Sequence, residues 1–71
     1  MRVMDEVEIR GDVIRLGQLL KVAGVAGSGA DAKALIASGQ VTVNGEPEAR
    51  RGRQLRRGDV VTVGDASVRL A

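Results

Sequence analysis

Apolar residues change their spacing several times along this chain, and each change marks a predicted element. Val7 and Ile9 flank Glu8 at the period of a half-buried strand, which Arg10-Gly11 closes. So short a piece near the amino terminus is expected at a sheet edge. The spacing then becomes helical. Leu16, Leu19, Leu20 and Ala23 fall at i, i+3, i+4 and i+7, the stripe of a helix of roughly two to three turns that Gly24 ends. Two starts are open to it: Asp12 caps it, or Val13 and Ile14 extend the strand and the helix begins at Arg15 or Leu16. Gly17 lies inside it, at a cost of about 1 kcal/mol relative to Ala.

From Ser28 to Gly45 the chain reads as a capped helix, a stop, a strand and a turn. Ser28 can accept a bond from a first-turn amide and Asp31, three residues on, can reach back, as in a capping box. Ala32, Leu35 and Ile36 share one face, and Gly39 supplies the left-handed residue that ends a helix. The link Val25-Ala26-Gly27 is so short that the two helices must pair over one core. Val41-Thr42-Val43 alternates, and Asn44-Gly45 suits a hairpin turn with positive φ at both centres.

Glu46 to Ala49 returns as an imperfect strand, restricted to an edge because Pro47 has no donor. A basic loop, Arg50 to Asp59, follows and is pinned by Leu55 alone. Val60 to Val63 is a strand, Gly64-Asp65 a turn, and Ala66 to Leu70 a last strand with Val68 and Leu70 on one face. Strand, helix, helix, then several strands predicts an α+β domain. Its two-helix hairpin packs on one side of a small, mostly antiparallel sheet of four to five short strands, and residues 1–71 form a single domain.

Composition narrows the chemistry. With 71 residues the chain is too small for a deep substrate cavity. Neither Cys nor His is present, which removes disulfides, thiolate metal sites, imidazole bases and the usual nucleophile triads. No catalytic residue, metal or cofactor is therefore expected. No apolar run approaches the roughly 20 residues of a membrane span and no signal-peptide core is evident, so the expected location is cytoplasmic.

The net charge of +2 is unevenly spread: residues 1–14 carry −2, residues 15–57 carry +5, and the remainder −1. A basic middle between acidic ends is the footprint expected for a polyanion partner. Lys21 and Arg15 lie off the first helix's apolar stripe, as Lys33 does on the second, and all three can reach one solvent face. In the loop, Arg50, Arg51, Arg53, Arg56 and Arg57 offer planar forks that grip phosphate oxygens bidentately. Asn44 is explained by the turn itself. Phe, Tyr and Trp are absent, so bases cannot stack on aromatic rings.

The residues Arg15-Leu16, Leu19-Leu20, Ala32-Lys33, Leu35-Ile36, Gly39 to Gly45 and Gly58-Asp59-Val60-Val61 together resemble the S-four-type RNA-binding domain, named after ribosomal small-subunit protein four. The match covers roughly residues 14–64 and extends to small stand-alone bacterial members of that family. The resemblance implies an αL-type RNA-binding motif, a helix pair and hairpin forming an L-shaped basic surface. It also implies non-catalytic binding of structured RNA, ribosomal or transfer RNA, by a monomer that can associate with a ribosome or ribosomal subunit. It carries over Arg15, Lys33, Asn44 and the basic loop as contact positions. The chain departs from the family at Gly29, where a basic residue is common, at Gly17, where an acidic one is, and at Arg51-Gly52 in place of Lys-Pro. The competing expectation is a protein-interaction module in which the edge near Pro47, or the final strand, pairs with a partner chain.

Overall fold

The computed structural model describes residues 3–71, with side chains from residue 5. Its elements are β1 (Val3–Val7), β2 (Ile14–Arg15), α1 (Leu16–Val22), α2 (Gly29–Ala37), β3 (Val41–Val43), β4 (Glu46–Pro47), β5 (Gln54–Leu55), β6 (Val60–Val63) and β7 (Ala66–Leu70). Five strands form one sheet in the order β1-β7-β6-β3-β4, while β2 and β5 form a separate two-stranded ladder. Among the described residues the β1–β7 pair is parallel and the other strand pairs are antiparallel. The α+β architecture read from the sequence is the observed one.

Both helices bury the stripes expected of them. Leu16, Leu19 and Leu20 from α1 and Ala32 and Ile36 from α2 meet Val41, Val43, Val61, Val68 and Leu70 of the sheet in one core. Ser28 Oγ accepts the Asp31 N–H at 3.2 Å, which fixes the start of α2, but the return bond from the Asp31 side chain is not among the hydrogen bonds of the described residues. Asn44 (φ 52°) and Gly45 (φ 86°) are both left-handed, as a tight hairpin between β3 and β4 requires. Among the described residues no helix is long and apolar enough to cross a membrane.

Three expectations are corrected, and the open choice of where α1 starts is settled. The first strand is Val3–Val7, not Val7–Ile9: the chain leaves the ladder after Val7, and Ile9 enters the core from a loop whose N–H donates to the Ala71 carbonyl at 3.2 Å. Asp12 does not cap α1. The second reading holds, with Ile14 in a strand and Arg15 in the cap position without a side-chain bond. The basic loop contains a strand, β5, because Leu55 must be buried and pairing with Ile14 satisfies its backbone there. The final strand is no edge, because β7 lies between β1 and β6 with both sides paired; the edges of the five-stranded sheet are β1, as expected of the first strand, and β4, which bears Pro47.

Candidate nucleic-acid interface

Three sets of contacts hold the basic loop against the rest of the fold. Leu55 is fully buried, and the β2–β5 ladder sets Arg15 opposite Gln54. The loop also supplies the missing cap of α1. The carbonyls of Arg53 and Arg51 accept the N–H groups of Leu16 (2.8 Å) and Gly17 (3.0 Å), two of the amides that a helix start leaves free. The third contact is a buried carboxylate. Glu48 is 7% exposed, and its own N–H is bonded to the Val41 carbonyl at 3.1 Å, so the sheet holds its backbone. Arg53 Nη1 donates to Glu48 Oε1 at 2.8 Å, while the Arg50 N–H and Nε–H donate to Oε2 at 3.1 and 3.3 Å. These donors, Arg53 first, hold the Glu48 carboxyl down at about 2. The same pair pushes the Arg53 guanidinium up.

Gly17 explains how close the loop comes. A Cβ there would sit 2.6 Å from Arg51 Cγ, so the absence of a side chain is what lets the Arg51 stem lie on α1. Lys21 follows Gly17 by four residues, on the same side of the helix and exposed. The structure thus places the backbone of Arg51 and Arg53 and the Arg51 stem on the first turn of α1, the helix that Arg15 precedes and that carries Lys21. Gly17→Ala tests this packing: the melting point is expected to stay within a few degrees, since better helix propensity offsets about 1 kcal/mol of the displacement. Loss of the Arg51 position should appear instead as weaker RNA binding, several-fold by filter retention.

The S4 domain family matches residues 7–71. This chain belongs to the S4 domain family. It is 47% identical over 57 residues to a Bacillus subtilis (strain 168) protein named probable ribosome maturation protein RlbA, with 80% of each chain covered. It is also similar to YbcJ from E. coli, whose solution structure is described as revealing an αL motif involved in RNA binding. There the TM-score is 0.67 at 35% identity, over 96% of this chain and 85% of that one.

Of the other expected contact residues of this S4 domain, Arg57 and Asn44 hold parts of the fold together with their side chains, while Arg56 and Lys33 are exposed. Arg56 is exposed, and its guanidinium has no hydrogen bond or ion pair among the described residues; its N–H donates to Asp59 Oδ2 at 2.8 Å. Arg57 turns toward the amino-terminal segment: Nη2 donates to the Ile9 carbonyl at 3.1 Å, and Nη1 lies 3.7 Å from Asp12 Oδ1. Asn44 uses both ends of its amide, donating to Asp59 Oδ1 at 3.1 Å and accepting the Val60 N–H at 2.9 Å. The Arg56 N–H, and then the Asn44 amide, hold the Asp59 carboxyl below its usual range. Lys33 is exposed on α2, and among the described residues no hydrogen bond or ion pair joins it to the loop.

Glu48 and Asp59 are the organising residues that the sequence reading passed over. Each is an acid within five positions of the arginines it holds, Glu48 before Arg50 and Arg53 and Asp59 after Arg56. That spacing was visible; which of the acids was buried was not.

Proposed function

We propose that this chain is a non-catalytic binder of folded RNA that acts as a monomeric single domain in the cytoplasm, with ribosomal RNA ahead of transfer RNA as its ligand. The observation that supports the reading is the docking of the arginine loop on α1, which brings Arg51 and Arg53 against the first turn of the helix that carries Lys21. Arg15, Lys21, Arg50, Arg51 and Arg53 form the centre of the proposed positive surface, with Arg56, Asn44, Lys33 and Arg57 toward its margins. The name of the Bacillus subtilis relative, a ribosome maturation protein, and the RNA-binding motif described for YbcJ support this class of partner.

Without aromatic side chains the surface reads phosphates, 2′-hydroxyls and the shape of a folded backbone. Rigid presentation is the mechanism. A folded backbone offers phosphates at fixed spacings, and a loop held by its carbonyls, by Leu55 and by Glu48 meets them without first being ordered. A salt titration against deproteinised bacterial ribosomal RNA tests it. With about five cations neutralising phosphates, log K should fall with log salt at a slope of roughly −3 to −5, and a single-stranded oligonucleotide should compete poorly. No binding to the deproteinised RNA, together with association to a partner protein that survives high salt, would favour strand pairing at the exposed β4 edge instead.

A further inference from the structure

We infer that Glu48 is a positioning residue for RNA binding, a buried carboxylate whose negative charge strengthens the hold of a positive surface on an anion. The inference rests on the RNA reading above and concerns how that surface is kept in shape. Among the described residues Glu48 is the one charged side chain that is buried. Its backbone is fixed to β3 through the Val41 carbonyl, so Arg50 and Arg53 are referred to the sheet as well as to their own loop.

Each guanidinium has five N–H donors, and the carboxylate takes one from each. The rest stay available. The Arg50 side chain is 77% exposed and that of Arg53 33%, so both forks are anchored at one nitrogen and open to solvent at others. Two long side chains are thereby ordered before RNA arrives, and their ordering is not charged against the affinity. A neutralising role alone would predict the opposite sign: removing any acid near the surface should then tighten binding.

Glu46 provides the control. It lies on β4 two residues earlier, is exposed and takes part in no ion pair among the described residues, and its loss changes the net charge equally. Glu48→Gln, Glu46→Gln and Glu48→Asp are compared with the unmodified chain by anisotropy on deproteinised bacterial ribosomal RNA. Circular dichroism melts confirm folding, and the nitrogen-15 spectrum of the Arg50 Nε–H reads loop order without RNA. Glu48→Gln is expected to lose about tenfold in affinity, and Glu46→Gln to bind as well as the unmodified chain or better. The Arg50 signal should move toward the averaged position of a free arginine in the folded Glu48 variants and stay in place in Glu46→Gln.

Glu48→Asp keeps the net charge but is one methylene too short to reach both arginines, so it too should bind more weakly. It carries the test if Glu48→Gln does not fold. Equal or tighter binding by the folded Glu48 variants, or an unmoved Arg50 signal, would overturn the inference alone. Failure of the unmodified chain to bind RNA would overturn the RNA reading and this inference together.

Discussion

Reversing Arg15 and Arg51 to Glu together is expected to abolish RNA retention while leaving the fold intact. Arg15 is exposed at the start of α1 and makes no side-chain cap, so an acid there is tolerated, even favoured by the helix dipole. Arg51 contributes its carbonyl to Gly17, a bond that any residue can make, and its exposed head is not tied to Glu48. The far-ultraviolet spectrum and melting point should therefore move by no more than a few degrees. Affinity for ribosomal RNA at 0.1 M salt should fall by at least about a hundredfold, and the salt slope of any residual binding should be shallower by about two. Retention at the unmodified level would remove the α1 side of the loop as the contact surface. Arg53 is left alone by design, since an acid at that position would face the buried Glu48 carboxylate and confuse lost contact with lost structure.

Leu55→Ala should have the largest effect on stability. Leu55 is fully buried and is the apolar residue by which the basic loop is rooted in the core, through β5 and its partner Ile14. Truncating such a leucine costs about 2–5 kcal/mol, against roughly 4–10 kcal/mol for the whole of a domain this small. The melting midpoint should drop by about 10–25 °C. Val22→Ala is the matched control: Val22 is 55% exposed, and its loss should cost no more than about 0.5 kcal/mol. Equal effects in thermal melts would mean that the loop is not anchored through Leu55.

Much of the fold is legible in the sequence because local signals and burial agree. The leucine stripe of α1, the Ser28 cap, the Asn44-Gly45 turn and the burial of Leu55 all follow from spacing and backbone chemistry. The errors lie where a partner distant in sequence decides. The start of α1 is set by carbonyls about 35 residues away, so no local cap residue marks it and Asp12 only resembles one. Strand β1 exists through β7, at the far end of the chain. The candidate site divides in the same way. That the arginines form one loop is visible from their order, but two facts need three dimensions: Arg57 faces the amino-terminal segment, and Arg50 and Arg53 share one carboxylate. Gly17, a liability by helix propensity, becomes intelligible only once the Arg51 stem is seen lying across it.

The insertion of β7 between β1 and β6 bears on how the molecule assembles. Val3 pairs with Ala66 and Val7 with Leu70, so β1 has no strand neighbour in the sheet until β7 has been made. The helix hairpin and the β3–β4 turn can form during synthesis. Closure of the sheet through β1 and β7 is the step with the greatest sequence separation, the kind that slows folding of small domains.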